Sequence, residues 1–224
     1  MQFPASPRLD FKTREQATYD SIRQAIVEGR WGPDEPVVVS RISADLGVSR
    51  ITVANALKRL AAEGFVRMTP HKEAVVARLD REGVREIYLI RAELEALAAA
   101  EAAVRISPAE IEEARRLNEI VRQQRAELPA IRAFRAADRA FHRHVRKAAN
   151  MPRLDRLLEN LADQCEYCRS RLLDPGRLSP PNPDAHETLL ALLAEHDADA
   201  ASRLMRDHVL AGMRTVLATL GQTE

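Results

Sequence analysis

The chain has 224 residues, 46% hydrophobic, 30% charged and only 4% aromatic, with 34 basic against 33 acidic side chains and a formal charge of +1. This apolar content at near-zero net charge excludes a disordered chain, and no run of roughly 18 uncharged apolar residues is present to cross a bilayer, because Glu95 and Glu101 interrupt the nearest candidate. The start, MQFPASPRLDFK, lacks the apolar stretch of a secretory signal, and two cysteines give no disulfide framework, so a cytoplasmic protein with no membrane partner is expected.

Abundant Ala, Leu, Glu and Arg with only 8 Gly predict a mostly α fold. Helical periodicity comes first at 14–28, 39–46 and 50–63, where Ile22 and Ile26, then Val53, Leu57 and Leu60, recur at three and four. Next, FVRM and AVVARL, joined by TPHKE, read as a small β-hairpin. From there the pattern is helical almost to the end, at 81–105, 108–125, 130–149, 153–172, 184–195 and 197–220. Ser107 before Pro108 is an N-cap ahead of a first-turn proline, Asn150-Met151-Pro152 closes a helix, and the proline-rich DPGRLSPPNP is a loop. The composition shift near residue 80 divides the chain into an N-terminal winged helix-turn-helix, 13–79, and a C-terminal all-helical bundle, 80–224.

In the N-terminal unit Gly47 suits a tight turn between two helices, and Ser49 is placed to cap the second of them. The first turn of such a helix can enter the major groove, where Arg50 can fork to guanine N7 and O6 and Thr52 can donate to a base edge or phosphate. Residues 40–78 carry seven Lys or Arg against three acids, a local surplus of four that the whole-chain sum conceals. Arg41 and Lys72 belong to that surplus and join Ser49, Arg50 and Thr52 as the candidate DNA-binding set.

In the C-terminal unit Asp138 and His142 are four apart on one helix and share a face, while His186 opens a later helix and His208 lies in the last. Three imidazoles and one carboxylate from three helices can converge on a divalent ion such as Zn²⁺, Ni²⁺ or Mn²⁺, but on spacing alone the reading of each histidine as a separate surface or internally satisfied residue is favoured. His144 points away from His142, His196 sits at a helix junction and His71 at the hairpin tip, so all three stay outside the set. The CEYC spacing of Cys165 and Cys168 falls inside a helical pattern, which predicts small packing residues rather than a zinc or redox motif. Arg91, four residues before Glu95, reads on spacing alone as an exposed arginine in a helical ion pair, and Asn150 and Arg171 are placed where they can reach a cavity in the bundle.

The segment EGRWGPDEPV followed by GVSRITVANALKRLAAEGFV resembles the signature of the GntR family of bacterial transcription regulators. Departures are Thr52 in place of a proline, Ala54 in place of a DNA-contacting arginine, Glu73 in place of a wing glycine and Asp34 in place of the glycine of a Pro-Gly turn. The second half, through REIYLIRAELEALAAAEAA, the Asp138-to-His142 motif with AANMPRL, HETLLALL and Met205 to His208, is similar to the FCD ligand-binding domain of the FadR subfamily. The resemblance implies that Ser49 and Arg50 contact DNA, that Asp138, His142, His186 and His208 hold the metal, and that Arg91 grips an effector acid. A ligand-responsive repressor is therefore expected, not an enzyme: a homodimer on a two-fold-symmetric double-stranded operator, released by a small carboxylate effector at a metal-containing pocket. The alternatives are a metal-sensing regulator and a metal-dependent hydrolase built on the helical bundle.

Overall fold

The computed structural model describes residues 13–69, 73–126, 131–172 and 183–220. Among the described residues are nine helices and three short strands, and contacts divide the chain into two compact units, Met1–Arg78 and Leu79–Glu224. No helix among them is long and apolar enough to cross a membrane.

The first unit runs α1 (Arg14–Val27), β1 (Pro36–Val37), α2 (Val39–Leu46), α3 (Arg50–Ala62), β2 (Val66–Arg67) and β3 (Ala74–Val76). The apolar stripes read from the sequence meet in one core of Tyr19, Ile22, Ile26, Val53, Leu57 and Leu60, closed below by Phe65 and Val76. Each such side chain contributes about 1.5–3 kcal/mol on burial. The hairpin is present as β2 against β3, with Val66 opposite Val76. A third strand, β1, adds to the other edge of β3 with Pro36 opposite Val75, giving the order β1-β3-β2. Two residues are too few to show an alternating pattern, and so β1 escaped the sequence. The hairpin tip, 70–72, including His71 and Lys72, lies outside the described residues.

Asp34, which stands where the family pattern has glycine, adopts the left-handed backbone with φ of 61°. Its carboxylate accepts from Arg67 at 3.0 Å and from Arg78 at 2.7 Å, so the turn before β1 grips β2 and the segment after β3. Asp and Asn tolerate this conformation better than other residues with a Cβ.

The second unit is all helical: α4 (Arg81–Arg105), α5 (Pro108–Ala126), α6 (Ile131–Ala148), α7 (Pro152–Leu172), α8 (Pro183–Ala194) and α9 (Ala198–Leu220). Asp80 caps α4 by accepting from the Gly83 amide, and Ser107 with Glu110 forms a capping box at α5, each binding the other's backbone N–H. Helix α4 is packed on by α6, α7, α8 and α9. Its inward residues are mostly alanine, Ala92, Ala96, Ala99 and Ala103, all buried, and this is where the low aromatic content is realised. Cys165 and Cys168 are free and buried in this core, as their position in a helical pattern predicts.

Gly47 ends α2 with φ of 61°, and a Cβ added there meets no atom within 4 Å. The penalty of a side chain is therefore carried by the backbone alone. Gly47→Ala is expected to lower the stability of the N-terminal unit by about 1–2 kcal/mol in urea unfolding followed by circular dichroism; an unchanged midpoint would show that the turn reads no φ constraint.

Candidate functional site

The turn at Gly47 delivers α3 with its first residues outward. Ser49 accepts a hydrogen bond from the Thr52 amide at 3.1 Å, and its hydroxyl lies 2.8 Å from that of Thr52. Both hydroxyls are thus occupied in capping, and Thr52 is half-buried, so its first task is to hold the helix start. Arg50 is exposed and enters no ion pair among the described residues, whereas Arg41 is exposed and faces Asp45 at 3.9 Å. The outward face continues through Ile51, 74% exposed, and Asn55 one turn on, then Lys58. Asn55 was missed in the sequence reading; its four-residue spacing from Ile51, out of phase with buried Val53 and Leu57, was the available signal. An asparagine there can pair with adenine N6 and N7 in two hydrogen bonds, and the isoleucine offers apolar contact to a thymine methyl.

The local basic surplus is divided between internal pairs and the outward face. Arg59 pairs with Glu63 at 3.1 Å, donates to Gln16 at 2.9 Å and stacks 3.7 Å over the Tyr19 ring. Arg67 and Arg78 are held by Asp34. Arg41, Arg50 and Lys58 remain as the cations presented outward by the helix pair.

In the second unit His142 of α6, His186 in the first turn of α8 and His208 of α9 form a nearly equilateral triangle, with ring centroids 5.0, 5.1 and 5.1 Å apart. One nitrogen from each lies within 4.8 Å of the others. Asp138, one turn before His142, brings its Oδ1 to 3.6 Å from His186 Nε2 and 3.8 Å from His142 Nε2. Asp138, His142 and His186 are buried, and His208 is half-buried. Burial pushes His186 and His208 down to about 4 and His142 well down, so all three imidazoles are neutral with lone pairs available at neutral pH. Burial pushes the Asp138 carboxyl up, against the pull of Arg169, His208 and Arg91.

Three of these atoms, Asp138 Oδ1, His142 Nδ1 and His186 Nε2, are sealed from solvent with no hydrogen-bond partner. Orphaned acceptors are costly in an apolar bundle, and a cation at the centre of the cluster satisfies them together, so the residues fit a divalent ion. A residue not anticipated from sequence sets the orientation: Asn118 of α5 places Oδ1 3.1 Å from His186 Nδ1. The Asn118 amide donates to Glu187 at 3.3 Å, and Glu187 is gripped by Arg115 at 3.0 Å. With its NH₂ group so directed, Asn118 turns its carbonyl to His186; Nδ1 then carries the proton and Nε2 keeps its lone pair toward Asp138.

Arg91 is buried, not exposed, and its Nε donates to Glu95 at 3.3 Å. The ion pair expected from spacing is real, but Glu95 is fully buried too and is shared with Arg146 at 3.4 Å. Asn150 is not brought to the cluster: it is exposed, with φ of 52°, and terminates α6 in the left-handed conformation. The Arg171 side chain lies outside the described residues.

Residues 14–84 match the family model described as bacterial regulatory proteins, gntR family, and residues 86–211 match that of the FCD domain. The chain belongs to the GntR family, in its FCD-containing branch. Relatives of this regulator include a probable D-xylose utilization operon transcriptional repressor of Paenarthrobacter nicotinovorans, 30% identical over 92% of this chain and 90% of that protein. The HTH-type transcriptional repressor RspR of Escherichia coli is 27% identical over 87% of this chain and 85% of its own length. Escherichia coli McbR/YncC has the same fold, with a TM-score of 0.78 over 95% of this chain and 99% of that structure at 21% identity.

Asn118→Ala is expected to weaken zinc binding by about ten- to a hundredfold in competition with a chromophoric chelator, as removal of an outer-shell partner does. Unchanged affinity would show that the His186 ring is oriented by its stacking on Phe141, 4.1 Å away, alone.

Proposed function

We propose that this GntR-family regulator is a homodimeric repressor whose winged helix-turn-helix, 13–79, reads double-stranded DNA. A small carboxylate effector releases it by binding in the FCD unit, 80–224, beside a divalent metal held by Asp138, His142, His186 and His208. The observation that carries the metal reading, on which the effector reading rests, is the cluster of orphaned, buried ligand atoms in that unit. Zn²⁺, Ni²⁺ and Mn²⁺ suit a set of neutral imidazoles and one carboxylate. Such an ion, when bound, supplies positive charge and open coordination positions that attract a carboxylate. Around it, Arg91 is the chain's own cation for the acid, since a guanidinium grips a carboxylate through two parallel hydrogen bonds.

Dimer formation is supported by the outer side of α4, where Ile90, Leu97 and Val104 are exposed at seven-residue spacing with Leu89 beside them. An apolar seam of that period suits a second copy of the same helix. Two reading helices related by a two-fold axis fit an inverted-repeat operator with half-sites about 34–36 Å apart. Ser49, Arg50, Thr52, Arg41 and Lys72 make up the DNA-binding set, joined by Asn55 and Lys58. Two curated relatives are named repressors, which favours repression as the sign.

Duplexes selected from a random library should converge on an inverted repeat, and binding to it should weaken with a small carboxylate only when the protein is metal-loaded. A large response to metal with none to any acid would instead identify a metal sensor. On the same duplex Arg50→Ala should lose about 1–3 kcal/mol of specific binding with non-specific binding little changed; equal affinity would remove Arg50 from the reading set.

A further inference from the structure

Beside the histidine cluster lies a second cationic locus that neither the metal set nor the Arg91–Glu95 pair uses. Arg169 of α7 is half-buried, and its Nε donates to the Tyr88 hydroxyl at 3.1 Å. Among the described residues its two terminal amino groups have no hydrogen-bond partner, and no carboxylate forms an ion pair with it. The acids near enough to act on it are committed elsewhere: Asp138 faces the histidines, and Glu166 pairs with Arg135 at 3.2 Å. Tyr88 gives no compensating charge, because burial pushes its phenol up to about 12.

The position of this locus follows from the helices. On α9, Gly212 stands four residues after His208 and so on the same face, about 5–6 Å further along. A Cβ on Gly212 would lie 3.6 Å from an Arg169 terminal nitrogen and 3.7 Å from the Tyr88 ring. Arg169 and Tyr88 therefore sit about one helical turn from the His208 corner of the cluster. Tyr88 is itself three residues before Arg91 on α4, and the two guanidiniums are close enough to repel each other. Arg91 and Arg169 are met by Asp138, Glu95 and Glu166, and each of these acids is also engaged elsewhere, Asp138 by the histidines, Glu95 by Arg146 and Glu166 by Arg135. A partly desolvated guanidinium whose nearby acids are shared with other partners is poorly compensated, and an anion held by its two terminal amino groups offsets that cost.

We propose that Arg169, positioned by Tyr88, is a second anion subsite and that the effector is accordingly a short dicarboxylate, one carboxylate at the histidine cluster and Arg91, the other at Arg169. This rests on the reading of the cluster as a carboxylate pocket. The specificity follows from charge: a monocarboxylate of equal length leaves the Arg169 amino groups without a partner, whereas a dicarboxylate gives them a bidentate one.

The test is calorimetric titration of the zinc-loaded full-length protein with succinate and glutarate, each against the monocarboxylate of equal carbon number, butyrate and pentanoate. At least one dicarboxylate should bind about ten- to a hundredfold more tightly than its counterpart, the value of a hydrogen-bonded charge pair. Arg169→Gln should erase that preference, bringing the two classes to equal affinity. Equal binding of the two classes by the native protein, or a preference that survives in Arg169→Gln, overturns the subsite and leaves the carboxylate pocket standing. Binding of neither class overturns the pocket and the subsite together. Should Arg169→Gln fail to fold by thermal melting, Tyr88→Phe decides: a reduced preference supports the subsite, and an unchanged one overturns it.

Discussion

Four helices can pack on α4 because Ala92, Ala96, Ala99 and Ala103 make it thin. Interaxial distance is set by the side chains at the contact, and a methyl group permits the short end of the usual range of about 8–10 Å. Everything the second unit does with polar groups depends on that closeness. Asp138 and His142 from α6, His186 from α8 and His208 from α9 meet because these helices converge around one central rod. The charged exceptions to the apolar pattern, Arg91 and Glu95, are on the rod itself and pair with each other, Glu95 also meeting Arg146.

The parts of this architecture that repeat along the chain were legible in it. Helical periodicity, the Gly47 turn and the Ser49 and Ser107 caps are local features, and a mostly α fold with a small hairpin follows from them. The shared face of Asp138 and His142 follows from a four-residue spacing. What escaped was set by contacts distant in sequence. Asn118 is one polar residue in a helix until α8 is packed beside it, 68 positions later in the chain. Asn150 has a structural task that its position alone did not reveal, since its left-handed backbone ends α6. Arg91 shows a third case, in which the partner was read correctly and the environment was not, because a spacing of four says nothing about which face is buried.

Charge is distributed by the same logic of distance. The net charge of +1 joins a basic reading unit to a slightly acidic bundle, yet within the reading unit Arg59, Arg67 and Arg78 are spent on internal pairs. Exposed pairs of this kind contribute little stability each, typically below about 1 kcal/mol. Their larger effect is to tie the turn at Asp34 to the sheet and α3 to α1, leaving Arg50 and Lys58 exposed on the outward face of α3 with no ion pair among the described residues. In the bundle the opposite holds. Arg146 is almost wholly enclosed and is met by Glu95, Asp155 and Glu159; its removal would leave Asp155 without its arginine, while Glu95 keeps Arg91 and Glu159 keeps Arg139.

The two cysteines of α7 carry a last implication. Cys165 and Cys168 are packed into the core, and burial pushes the Cys168 thiol up to about 12, so almost no thiolate exists there to meet an oxidant or an alkylating reagent. Cys165 also stands among Tyr88, Arg91 and Arg169. Sulfur therefore borders the two arginines. Thiol labelling of Cys168 in the native protein becomes a gauge of opening of the bundle, slowing when the parting of α7 from its neighbours is opposed.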